Sequence, residues 1–168
     1  MPVWSLGPYS GPRRRAVVAA KERGRRDLAV PLGLAWAVAV ARLRRWGELV
    51  PGPITVVPAP TRARAARSRG GDPVTRTARV AAGHDPSLSV HPLLVPARGV
   101  RDSVGLSAVE RRRNLAGRIR VRESGVPRAR QVLVVDDIVT TGATAAESIR
   151  VLREAGFQPA GVLVIAHA

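Results

Sequence analysis

Thirteen residues, VLVVDDIVTTGAT from Val132 to Thr144, concentrate the side chains of this chain that could do chemistry. Four apolar residues predict a buried strand, with Asp136 and Asp137 at its C-terminal end. Thr140, Thr141, Gly142, Ala143 and Thr144 form a short loop, and AAESIRVL continues as a helix. Ligands of open α/β sheets bind beyond the carboxyl ends of strands, so both acids fall where a site is expected. The loop offers hydroxyls and closely spaced backbone N–H groups, and Gly142 lets the backbone approach a ligand. The positive pole of the following helix completes an anion cradle. Carboxylates repel phosphate but accept hydrogen bonds from vicinal hydroxyls. Together they imply a ligand that is both phosphorylated and polyhydroxylated. A ribose 5-phosphate fits, with its phosphate on Thr140–Thr144 and its 2- and 3-hydroxyls on Asp136 and Asp137.

Two plainer readings compete. Thr144 and Glu147 have the spacing of a capping box, which would explain part of the pattern by helix initiation alone. VLVVDD also resembles the phospho-acceptor strand of receiver domains. In those domains the acids stand near the N-terminus with about a hundred residues following, whereas only 31 follow Asp137.

The elements that must position the motif are legible as alternating strands and helices. Residues 1–50 predict two helices: Arg15–Arg23, ended by Gly24, and a second from near Asp27 to about Glu48. Ile54–Val57 is a short buried strand, and Asp72 with Pro73 caps a helix to about Ala82. Leu88–Val95 has strand character interrupted by Pro92. Residues 96–104 lack periodicity, and Ser107 with Glu110 starts a helix through about Ala116. Arg118–Arg122, Gln131–Val135 and Ala160–Ala166 are the remaining strands, and Thr144–Glu154 the last helix. The pattern predicts an α/β domain with a mainly parallel sheet.

Composition narrows the classes further. The 168 residues carry 28 Lys+Arg against 12 Asp+Glu, a net +16, and no cysteine. The absent cysteine excludes disulfides, thiolate zinc sites and cysteine-ligated clusters. Aromatics are few, so the core is expected from Val, Leu, Ile and Ala, with Trp36 inside it. His84, His91 and His167 have no metal-ligand spacing. The longest nearly uncharged apolar run, Leu28–Ala41, is 14 residues long and contains Pro31, short of the roughly 20 needed to span a bilayer. A soluble, cytoplasmic protein without membrane insertion is expected. The charge is uneven: residues 131–168 hold two basic and four acidic groups, leaving +18 on residues 1–130. Of the basic residues only Lys21 is lysine, an arginine bias that a GC-rich genome would also produce.

The motif resembles the phosphoribosyl-pyrophosphate (PRPP) motif of type I phosphoribosyltransferases. Three further segments narrow the likeness: YSGPRRRAVVAAKERGRRDLA at 9–29, VVPAPTRARAARSRGGDPVTRTAR at 56–79 and VGLSAVERRRNLAG at 104–117. With these the chain resembles the ComF (competence protein F) family, over most of its length. The resemblance implies a Rossmann-like parallel sheet with a small helical N-terminal hood, residues 1–52, on a core of residues 53–168. It implies that Asp136 and Asp137 bind the ribose hydroxyls and Thr140–Thr144 the 5-phosphate. Thr61 and Arg62 would hold pyrophosphate, and Arg98 and Arg101 would belong to a mobile loop that closes over the substrate. Mg²⁺ would enter with PRPP, bridging pyrophosphate and ribose oxygens.

For substitution at C1 the expected transition state is oxocarbenium-like, with negative charge growing on the departing pyrophosphate. Mg²⁺ and arginines such as Arg62 or Arg101 would offset it. The ComF resemblance also implies an alternative, a non-catalytic competence or DNA-processing factor. Basic segments such as 62–69 and 111–113 would then contact single-stranded or duplex DNA through phosphates. ComF proteins commonly begin with a cysteine zinc finger, which this chain lacks. The acceptor and any homo-oligomer stay open at this stage.

Overall fold

In the computed structural model the elements in chain order are β1 (Val3–Ser5), α1 (Gly11–Glu22), α2 (Ala29–Arg45), β2 (Ile54–Pro58), α3 (Pro73–His84), β3 (Leu88–Val90), β4 (Leu94–Pro96), β5 (Ile119–Val121), β6 (Gln131–Val139), α4 (Ala143–Glu154) and β7 (Gln158–His167). A 3-10 turn, Arg26–Leu28, leads into α2. The structure describes residues 1–60, 71–97, 119–122, 125–126 and 131–168. The expectations for Thr61, Arg62, Arg98, Arg101, the basic segments 62–69 and 111–113 and the helix from Ser107 lie outside the described residues.

Five strands form one sheet in the order β1-β7-β6-β2-β3, every neighbouring pair parallel. The two longest, β6 and β7, lie side by side near its middle and carry continuous buried runs, Val132–Val135 and Gly161–Ala166, as strands covered on both faces must. Alternation then divides their side chains between two cores. Leu133, Val135, Leu163 and Ile165 pack with Val17 of α1, Trp36 and Val40 of α2 and Val74 and Ala78 of α3. Val132, Val134, Val162 and Val164 pack with Ile149 and Leu152 of α4, Phe157 and the hydrophobic side chains of β4 and β5. The architecture is α/β with a central parallel sheet between two layers.

Residues 1–52 enter this arrangement directly. They add β1 to the sheet edge beside β7, and their helices share the first of the two cores with β2, β6 and β7. Strand β1 is absent from the sequence reading because three residues with one exposed and two half-buried positions leave no periodic signal. Helix α1 begins at Gly11, earlier than Arg15, because Pro12 fits its first turn. Helix α2 lies against α3 at Gly33, where a Cβ would come within 2.6 Å of the Val80 side chain. Asp72 caps α3 as its position predicts, its Oδ2 accepting from the Thr75 N–H at 2.9 Å.

The run Leu88–Val95 divides at Pro92. Its first half joins β2 in parallel, and its second half leaves the sheet to pair antiparallel with β5. Proline has no N–H for a ladder, so the break falls there. Strand β6 does not end at Val135 but continues through both acids to Val139. Its neighbour β7 stays in register alongside, pairing Asp136 with Val164 and Val139 with His167.

Candidate functional site

The carboxyl end of β6 turns into α4 through Thr140, Thr141 and Gly142. Gly142 has φ +71°, a left-handed conformation that costs an L side chain about 1 kcal/mol or more, and it is the N-cap residue of α4. No side chain caps this helix. Its first N–H groups point into the loop, where Ala143 N–H makes a long 3.4 Å bond to Thr141 Oγ1. The first regular helical bond runs from Ala146 N–H to Gly142 O at 2.8 Å. Glycine backbone, threonine hydroxyls and an uncapped helix start together give a concave surface of N–H and O–H donors, chemistry that suits an anion.

The capping box read from Thr144 and Glu147 does not form. The helix starts one residue before Thr144, which leaves that threonine inside the first turn. Glu147 is buried and is paired with Arg150 through bonds of 2.6 and 2.8 Å. An inward-facing glutamate held by an arginine one turn later cannot reach back to a cap.

The loop borders a cavity of about 150 Å³ lined by Asp136 and Thr140–Thr144, with Ala59 from the end of β2 and Val164 from β7. Asp136 Oδ1 accepts the backbone N–H of Asp137 at 2.8 Å. Burial pushes the Asp136 carboxyl up to about 7, and the adjacent Asp137 charge adds to the rise. Lys21 acts in the opposite direction. Asp136 is therefore an acid held towards its protonated form, beside the glycine turn and the uncapped start of α4.

Asp137 has a different setting. It does not line that cavity. Its carboxylate meets the α1 helix, where Lys21 Nζ lies 3.0 Å from Oδ1 and 2.9 Å from Oδ2. Val17, Leu32, Trp36 and Ile165 surround a small apolar space beside this pair. In the sequence Lys21 stands out only by composition and as part of the segment 9–29 that carries the family resemblance. That it is the single lysine of the chain was the available signal.

Of the residues expected to form the site, Asp136 and Thr140–Thr144 come together around one cavity, and Asp137 stands next to them on the other side of the strand. Among the described residues no group of three His, Cys, Asp or Glu side chains could hold a metal ion by itself. His84 ends α3, His91 gives its backbone N–H to Val56 O, and His167 ends β7 with its ring 3.0 Å from Ser5 Oγ. No helix among the described residues is long and apolar enough to cross a membrane.

Comparison with known proteins gives a local likeness. The chain is 45% identical over 40 residues to the orotate phosphoribosyltransferase of Bordetella avium, and 50% identical over 40 residues to that of Marinobacter nauticus. These stretches are 24% of this chain and 18% and 19% of the two enzymes, so the chain spans about a fifth of the length of the relatives it matches. A solved hypoxanthine-guanine phosphoribosyltransferase from L. donovani superimposes with a TM-score of 0.46 at 15% identity, covering 84% of this chain and 71% of the other. No family model matches.

Proposed function

We propose that the chain is a phosphoribosyltransferase-type protein of the ComF kind, binding the 5-phosphoribosyl group of PRPP with Mg²⁺. One observation carries the reading: a cavity that joins a phosphate-type cradle, Thr140–Thr144 at the uncapped start of α4, to a half-buried carboxylate, Asp136. A simple phosphate site would not place an acid beside its anion. A sugar phosphate requires both, since its hydroxyls donate to the carboxylate while its phosphate takes the N–H groups. The local likeness to orotate phosphoribosyltransferases supports the same ligand class.

In this reading Asp136 and Asp137 steady the ribose, and the Thr140–Thr144 backbone anchors the 5-phosphate. Mg²⁺, when bound, would offset the pyrophosphate charge. In this reading it would enter with PRPP. The protein's contribution to C1 substitution is then positioning and electrostatic compensation. Thr61 and Arg62 are the proposed pyrophosphate contacts, and Arg98 and Arg101 belong to the proposed closing loop.

Isothermal calorimetry with PRPP and Mg²⁺ tests the reading, followed by a pyrophosphate-release screen across nucleobases. Heat that disappears in the Asp136→Asn/Asp137→Asn double variant is expected. A folded wild-type protein that gives no heat would overturn it.

A further inference from the structure

Lys21 stands out twice, by type and by place. It is the single lysine among 28 basic residues. The other ion pairs between described residues use arginine: Arg25 with Asp27, Arg44 with Asp85, and Arg150 with Glu147 and Glu154. Only at the acid pair is the partner a compact ammonium, a point charge without the fixed planar fork of a guanidinium. Its reach is long in sequence, from α1 to the far end of β6, and it meets both oxygens of Asp137 at 2.9–3.0 Å. Asp137 is mostly buried there, while Lys21 keeps part of its side chain in solvent.

We infer that Lys21 is the positioning residue of the acid pair: paired with both oxygens of Asp137, it holds that carboxylate on the α1 side of β6 and leaves Asp136 to face the phosphate cradle. Two adjacent carboxylates at the end of one strand repel each other. The pleat turns them to opposite faces, and a cation on one side fixes Asp137 as an ion pair and offsets its charge beside Asp136. Among the described residues the charged groups that act on Asp136 are Asp137 beside it and Lys21. The other flanks, Val164 of β7, Ala59 after β2 and Gly142–Ala145 at the start of α4, carry no charge. Removing Lys21 therefore leaves Asp136 facing an uncompensated anion.

The test follows both carboxyl carbons by NMR in protein labelled with ¹³C-aspartate, in wild type, Lys21→Met and Lys21→Arg. In Lys21→Met the Asp136 midpoint should rise by about one pH unit, a tenfold change in its proton affinity. Lys21→Arg, which keeps the charge, should hold it near the wild-type value. A ligand arm, which rests on the function proposed above, measures Mg–PRPP affinity against pH. In Lys21→Met it should fall about fivefold at pH 7 and recover above the new midpoint. Unchanged Asp136 titration in folded Lys21→Met would overturn the inference.

Should Lys21→Met not fold, ¹⁵N-lysine labelling of the intact protein decides. It gives one Nζ resonance, expected to move in Asp137→Asn and to stay put in Glu22→Gln. An Nζ signal unmoved by Asp137→Asn would sink the idea. A wild type that binds no Mg–PRPP, yet shows these shifts, rejects the proposed ligand and leaves Lys21 in its positioning role.

Discussion

Asp136 and Asp137 are the same residue type, adjacent, on one strand, and they live in opposite environments. Asp136 faces the α4 side, where Gly142, three threonines and a helix start line a cavity. Asp137 faces the α1 side, where an ammonium neutralises it. The difference follows from the pleat, since successive residues of a strand point to opposite faces. One strand end thus provides two chemically distinct acids. A paired motif read from sequence as one functional unit has become two sites with a shared backbone.

The largest test of that contrast is the pH dependence of stability. An acid whose folded value is raised to about 7 binds protons more tightly in the folded state, so stability is highest below its unfolded value near 4 and falls as pH rises towards 7. The fall from Asp136 should be at most on the order of 4 kcal/mol. Denaturant unfolding at pH 4–8 should show it, and Asp136→Asn should flatten it. An unchanged slope in that variant would show that the acid is not buried against its neighbour's charge.

A second test separates the acids by ligand. Asp136→Asn should weaken Mg–PRPP binding by roughly a hundredfold, on the order of 3 kcal/mol, since a charge-assisted bond to a ribose hydroxyl is lost. Asp137→Asn should cost clearly less in the same calorimetric titration. Equal losses would mean that both acids reach the ribose and that the division between faces does not persist in the complex.

Two further substitutions sharpen the comparison by hitting one side only. Gly33→Ala pushes a methyl group into the α2–α3 contact at Val80 and should cost about 1–3 kcal/mol in thermal or denaturant unfolding. Ligand affinity per folded molecule should stay the same. Gly142→Ala strains the φ +71° turn and should weaken Mg–PRPP binding about tenfold with a loss of only about 1 kcal/mol in stability. A Gly142→Ala protein with full affinity would argue that the turn's shape is not what holds the phosphate.

Much of the frame was legible from the chain. Continuous apolar runs announced β2, β6 and β7, and Asp72-Pro73 announced α3, because burial on both faces and helix capping leave local marks. The Thr140–Thr144 loop was legible for the same reason, as a glycine-bearing turn between a strand and a helix. What escaped were features set by distant partners. Strand β1 exists because β7 offers it an edge to pair with. The Thr144–Glu147 spacing suggested a cap, but Arg150 held Glu147 and the helix had already begun. Lys21 was visible as a lone lysine and not as a neighbour of Asp137, 116 residues away.

The sequence by itself determined that this is an α/β chain whose last third carries a strand, an acid pair, a glycine turn and a helix, because strand hydrophobicity, turn glycines and acid placement are local properties. Only the tertiary structure decided which acid meets the cradle and which meets Lys21. That choice depends on how the pleat of β6 is flanked, by α4 on one face and α1 on the other, and packing across a sheet is written in no single stretch of the chain.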